Sequence, residues 1–263
     1  MLELLALPAG AGAAARAPLV FVHGAYVGAW CWAEHFLPWF AGRGYPVYAL
    51  SLRGHGGSGG RDRLHGFGLA DFAEDLASAV DGLERAPVLI GHSMGALVVQ
   101  KYLERNPGAA RAAALFCPVP PFGVLPASFS LALARPALFA EINALAFGGR
   151  ASRAALQEAL FAGPVDAERL ERYYARMQPE SRRAILDMSG WGLPQSWRAT
   201  LPETLVIGAE RDVLIAPALA QTTAQLLGAE YRLLPGLGHA VMLEPGWRAA
   251  AQALDEWLAA RAP

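Results

Sequence analysis

The chain has 263 residues, 54% of them hydrophobic and 17% charged, which suits one α/β core carrying an insertion and excludes a disordered or fibrous protein. With 22 basic residues against 23 acidic ones, the formal net charge is -1, and no run of five like charges recruits nucleic acid. Cys31 and Cys117 have no close spacing that would suggest a metal site or redox pair, so both are expected as buried free thiols.

The chain opens on an apolar stretch, Leu2 to Leu7, but this has no basic segment and contains Glu3, so a secretory signal is not expected. No apolar stretch approaches the roughly 18 to 20 residues that span a bilayer. A cytoplasmic protein with no membrane span is the expectation. The Ala and Gly cluster from Ala9 to Ala17 reads as a turn or flexible connector.

From there, short apolar runs alternate with longer amphipathic segments, the pattern of a mostly parallel sheet flanked by helices. Pro18 to His23 reads as a buried strand and Trp30 to Arg43 as the helix after it. Pro46 to Ser51 is a second strand, followed by the Gly-rich stretch Gly54 to Gly60, and Leu69 to Arg85 has helical spacing. Pro87 to Gly91 is a third strand, leading through a tight turn into a helix from Met94 to Arg105 that Asn106 and Pro107 stop. Arg111 to Cys117 is a fourth.

After Cys117 the alternation ends. Pro118 to Ser196 holds prolines and helical pieces without a convincing strand, and is expected as an inserted helical cap between two core pieces, 1–117 and 197–263. The core pattern resumes with a strand at Glu203 to Gly208, a helix at Pro217 to Leu227, a strand at Glu230 to Leu234 and a closing helix from Trp247 to Arg261.

Gly91-His92-Ser93-Met94-Gly95 matches G-x-S-x-G at a strand-to-helix junction, the context in which a serine is held out above a sheet. Glycines on both sides let neighbouring backbone approach without a Cβ clash. The Met94 N–H opens a helix, where unpaired amides and the dipole favour negative charge. Ser93 is therefore the candidate nucleophile and Met94 N–H an oxyanion donor.

A serine hydroxyl needs a base within reach and a carboxylate to orient that base. His239, in the loop after the last strand, fits best among the six histidines. His92 is expected to point away as a packing residue, His55 and His65 to be solvated or structural, and His35 to lie on a helix. Asp212 and Glu210 compete for the acid role after strand Glu203 to Gly208; position favours Asp212, whose longer loop reaches further. In His23-Gly24-Ala25, after the first core strand, the Ala25 N–H is the candidate second oxyanion donor.

Together HGAYVGAW at 23–30, LRGHGGS at 52–58, GHSMG at 91–95, GAERD at 208–212 and GLGH at 236–239 resemble the α/β-hydrolase superfamily over essentially the whole chain. Within it the chain is similar to small bacterial esterases and monoacylglycerol-lipase-like hydrolases. The resemblance implies a Ser93–Asp212–His239 triad, an oxyanion hole at Ala25 and Met94, and a cap at 118–196. HGAYVGAW also resembles the plant methyl esterase and hydroxynitrile lyase branch, whose lyases carry a lysine near the catalytic histidine. Ala240 to Glu244 contains none, so cyanohydrin cleavage is not expected. Serine at position 93 argues against the branches that attack through a carboxylate.

The expected substrate is a small-molecule carboxylic ester, with no metal and no organic cofactor implied; oligomeric state is not legible. Phe122, Phe129, Leu138, Phe139, Phe147 and Trp191 are candidates for an apolar acyl pocket or for the cap's own small core. Tyr26 and Trp191 are the candidate substrate contacts. Cofactor-free perhydrolase or haloperoxidase chemistry with the same triad is the alternative, and a ligand receptor with a vestigial site is a third reading.

Overall fold

In the computed structural model, residues 1–9, 16–195 and 200–261 are described. Residues 10–15 of the expected connector, and Ser196 at the expected end of the insertion, lie outside them. Seven strands form one sheet: β1 (Glu3–Leu7), β2 (Leu19–Val22), β3 (Val47–Ser51), β4 (Val88–His92), β5 (Ala112–Phe116), β6 (Glu203–Ala209) and β7 (Glu230–Leu234), in the order β1-β3-β2-β4-β5-β6-β7. Every pairing from β3 to β7 is parallel.

The central strands are short continuous apolar runs because both faces of a parallel sheet are covered. Phe21, Val47, Ile90, Ala114 and Ile207 point into one core, packed by α1 (Trp30–Ala33), α2 (Phe36–Ala41) and α11 (Trp247–Ala259). Their neighbours Val20, Val22, Leu50, Leu89, Leu115 and Val206 point into the other, packed by α3 (Leu69–Asp81), α4 (Met94–Arg105) and α10 (Pro217–Leu227). Period-two alternation thus divides one chain between two cores.

Two elements depart from the sequence reading. The stretch at Leu2 to Leu7 contains an edge strand, β1, antiparallel to β3. Glu3 sits in that apolar run because its carboxylate accepts from Ser51 Oγ–H and from Gly57 N–H at 3.0 Å. The single helix expected over Trp30 to Arg43 is two, α1 and α2, broken at His35 with φ -139°. Pro38 explains the break: it has no N–H to donate, and its ring would strike the carbonyl of Glu34 in a continuous helix.

Between β5 and β6 the described residues form no strand. They form α5 (Leu125–Ala134), α6 (Pro136–Ala146), α7 (Arg153–Leu160), α8 (Ala167–Arg176) and α9 (Arg182–Leu186), followed by a wide turn at Asp187–Trp191. Ser152, Asp166 and Ser181 cap α7, α8 and α9, each accepting a backbone N–H three residues on. Among the described residues no helix is long and apolar enough to cross a membrane.

The expected pocket residues of this segment do not line the cavity beside Ser93. Phe129, Phe147 and Trp191 are 67%, 78% and 79% exposed, and Phe122 is exposed as well. Leu138 and Phe139 pack in a small cluster among the helices themselves. The reason is helical phase: Ala127 and Leu131 on α5 face inward, and Phe129, two residues from each, falls on the opposite side. At Trp191 the chain leaves the helical path at Gly190, φ 133°, so Met188 faces inward and Trp191 faces solvent.

Candidate active site

Because the strands run parallel, the loops after β2, β4, β5, β6 and β7 all emerge at the sheet's carboxyl edge, where ligands gather in open α/β folds. Ser93 follows β4 directly and holds φ 52°, ψ -117°, a conformation that L-residues rarely adopt. Its N–H donates to Phe116 O at 3.0 Å, which fixes the elbow on β5. The flanking glycines are sterically required: a Cβ on Gly91 would lie 2.5 Å from Gly95 O, and one on Gly95 would lie 2.5 Å from both Val22 O and His23 O.

His239 Nδ1–H donates to Asp212 Oδ2 at 2.7 Å, with both side chains buried. The other carboxylate oxygen, Oδ1, accepts from Leu214 N–H and Ile215 N–H, both at 2.9 Å, so Asp212 cannot swing away. Glu210 points elsewhere, accepting from Gly236 N–H at 2.9 Å. Of the two rival acids, the fold brings only Asp212 to His239.

Ala25 and Met94 lie beside Ser93 along one cavity of about 220 Å³. Neither backbone N–H donates to an acceptor among the described residues, whereas Tyr26 N–H is committed to Glu180 Oε2 at 3.1 Å. Gly24 makes this approach possible, since a Cβ there would meet His92 Nδ1 at 2.8 Å and Ser93 Cβ at 3.1 Å. The rest of the lining is mainly aliphatic, including Leu131, Ile142, Leu156, Met177 and Leu214; Tyr26 lines it and Trp191 does not.

A model of the alpha/beta hydrolase family matches residues 19–251. The chain belongs to that family. It is 28% identical over 237 residues to a monoacylglycerol lipase of Mycolicibacterium smegmatis, covering 86% of this chain and 82% of the relative. Among solved structures it is similar to a bromoperoxidase from Bacillus anthracis, with TM-score 0.76, 19% identity and coverage of 98% of this chain and 95% of that one. It is likewise similar to an esterase from Exiguobacterium antarcticum, with TM-score 0.71, 17% identity and the same coverages. At such identities the structural likeness speaks to the fold alone.

In this α/β hydrolase, four buried polar residues that the sequence reading passed over, or read otherwise, hold the loops. His92 does not point away: it lines the cavity, its ring lies 4.7 Å from that of His239, and its Nε2–H donates to His239 O at 2.9 Å. Burial, then the neighbouring His239, holds its imidazole well below the ordinary range. Glu244 accepts from Gly238 N–H at 2.7 Å and Ala162 N–H at 2.6 Å, fastening the His239 loop.

His23 is neutral by its partners, donating from Nδ1 to Gly24 O at 2.7 Å and accepting at Nε2 from Leu52 N–H at 3.1 Å. Burial, reinforced by nearby His55, pushes it down to about 3. His55 is the reverse case, fully buried and so the structural one of its two expected roles: both ring nitrogens donate, Nδ1–H to Arg53 O at 3.2 Å and Nε2–H to Glu180 Oε2 at 3.0 Å. Burial opposes its charge, but the Glu180 carboxylate outweighs burial and holds His55 above its ordinary value.

Cys31 and Cys117 are free and buried. Ligand atoms of His92, Cys117 and His239 come within 4.8 Å of one another, the one arrangement of this kind among the described residues. His239 Nδ1 and His92 Nε2 are already engaged in the bonds above. Burial and the adjacent Asp212 carboxylate hold the Cys117 thiol well above its ordinary value.

Proposed function

We propose that the chain is a serine hydrolase of carboxylic esters, with Ser93 as nucleophile, His239 as base and Asp212 as the carboxylate that orients it. The observation that carries this reading is the 2.7 Å His239–Asp212 bond opening onto the same cavity as a serine held at φ 52°. His239 Nε2 takes the proton of Ser93 Oγ as the Oγ–carbon bond forms and the carbonyl electron pair moves onto oxygen. Ala25 N–H and Met94 N–H receive that oxyanion, a role in which one donor is commonly worth about 10²- to 10³-fold in rate. Collapse expels the alcohol, which leaves with the His239 proton, and water releases the acid from Ser93 by the same steps.

The helices between Leu125 and Leu186 serve as the cap whose inner face shapes the acyl pocket. An apolar cavity of about 150 Å³ accepts a benzene-sized group. One of about 220 Å³ therefore suits a short to medium acyl chain. The test is a panel of p-nitrophenyl esters from acetate to palmitate run beside Ser93→Ala. Each added methylene should raise kcat/KM about three- to fourfold, from about 0.8 kcal/mol of transfer. The gain should end at about six to eight carbons, and Ser93→Ala should lose all turnover and all fluorophosphonate labelling. A wild type that cleaves no ester sinks the proposal.

The likeness to a bromoperoxidase favours a second reading, in which hydrogen peroxide replaces water in attacking the acyl group on Ser93 and leaves as a peracid. The peracid oxidises bromide to hypobromite and is itself returned to the acid, so bromination of monochlorodimedone in acetate, peroxide and bromide, absent in Ser93→Ala, is its readout.

A further inference from the structure

Glu180 and Gln178 join the helical segment to the loop that carries Ala25. Glu180 comes from the stretch between α8 and α9, and its carboxyl group is fully buried against His55, also fully buried. Its Oε2 accepts from His55 Nε2–H at 3.0 Å and from Tyr26 N–H at 3.1 Å, while Oε1 accepts from Ser181 N–H at 2.6 Å. Two residues earlier, Gln178 N–H donates to Tyr26 O at 3.0 Å, so both backbone groups of Tyr26 are bound by the same short stretch.

Tyr26 needs such restraint. It holds φ 67°, which for a bulky residue is strained and persists only where surroundings over-determine it. It is also the residue next to Ala25. If Tyr26 relaxed to negative φ, the Ala25–Tyr26 peptide would turn about the Tyr26 N–Cα bond and shift the Ala25 Cα, carrying the preceding Gly24–Ala25 peptide, whose N–H lies beside Ser93, out of place. The Gln178 side chain extends the clamp, accepting from Gly56 N–H at 2.8 Å and Arg61 Nη2–H at 3.0 Å and donating to Gly54 O at 2.9 Å.

We infer that Glu180, backed by His55, is a positioning residue: its buried carboxylate holds Tyr26 in the strained conformation that presents the Ala25 N–H to the oxyanion. The inference rests on the proposed acyl transfer at Ser93 and adds a residue of the helical segment to it. Glu180 touches no reacting atom. It acts through the Tyr26 backbone, so its removal lowers kcat and spares ground-state binding in the apolar cavity.

Three variants at one position test this. Glu180→Gln keeps an oxygen that accepts from Tyr26 N–H, Glu180→Asp withdraws the carboxylate by one methylene, and Glu180→Met fills the same volume with no strong acceptor. Fluorophosphonate labelling of Ser93 and turnover of p-nitrophenyl hexanoate are measured on each, with circular dichroism checking the fold. Glu180→Gln should stay within about threefold of wild type, whereas Asp and Met should lose about 10- to 100-fold in kcat and labelling, the scale of a donor misplaced by about 1 Å. KM should stay within about threefold throughout. If Met does not fold, Asp carries the comparison. Wild-type rates in a folded Asp or Met variant, or a Gln variant as slow as Met, overturn the inference. A wild type that does not label at Ser93 overturns the acyl-transfer reading and the inference with it, a result distinct from equal labelling of all variants.

Discussion

Among the described residues, positive φ at non-glycine positions occurs at Tyr26, Ser93 and Cys117. Each lies just beyond a parallel strand, after β2, β4 and β5 respectively, and such conformations cost on the order of 1 to 3 kcal/mol each. Their clustering at one sheet edge gathers backbone strain around the proposed nucleophile, Ser93. The partners of Asp212 lead to a residue-scale prediction. Asp212→Asn presents an amide that cannot hold the His239 tautomer, and kcat for ester hydrolysis should fall on the order of 10³- to 10⁴-fold with KM little changed. Glu210→Gln should stay within about twofold, since Gly236 N–H is the group its carboxylate serves. If steady-state kinetics reverse the two effects, the acid assignment is wrong.

At the scale of elements, α5 separates pocket from surface. Its Ala127, Ser128 and Leu131 line the cavity, and its Leu125, Phe129 and Leu133 are exposed. Leu131→Phe should therefore shorten the preferred acyl chain, lowering the octanoate-to-butyrate ratio of kcat/KM by about 10-fold or more. Trp191→Ala should leave that ratio unchanged, because the ring is 79% exposed and outside the cavity. Equal chain-length profiles for Leu131→Phe and wild type would remove α5 from the pocket.

Local signals read well where element and pattern coincide. Helices α4 and α10 and strand β7 end where their Pro, Asn and Gly punctuation places them. Edge strand β1 shows in the sequence as the apolar run Leu2 to Leu7, but its pairing with β3, which makes it a strand, was not legible. The orientation of the cap aromatics was not legible either. Composition reveals that a helix is apolar, but only its partners decide which side turns inward.

For the whole molecule, the buried histidines set opposing pH dependences. His23 is pushed down to about 3 in the fold and titrates near 6.5 when unfolded. Below pH 6.5 the unfolded chain therefore binds the extra proton, and stability falls as pH falls toward 3. His92 and His35, also lowered, act in the same sense. His55 acts in the other: its raised value makes its contribution full below about pH 6.5 and lost as pH rises through that value. Urea unfolding should show stability falling from pH 7.5 to pH 5, with His23 alone contributing about 2 kcal/mol of the loss. His23→Gln should flatten that slope, and an unchanged slope would mean that His23 is not held neutral.

The amino-acid sequence by itself determined the parallel α/β core, the elbow at Ser93, the candidate oxyanion loop at Ala25 and the position of His239. These are local facts: a period of two against 3.6, a serine between glycines at a strand-to-helix junction, a histidine after the last strand. Tertiary structure alone brought Asp212, which loop position already favoured over Glu210, to within a hydrogen bond of His239, and decided that His92 braces the His239 loop and that Tyr26 is held by a carboxylate 154 positions away. Those contacts depend on which strands lie side by side and which face of a helix turns inward. Neither leaves a pattern in any short stretch of chain.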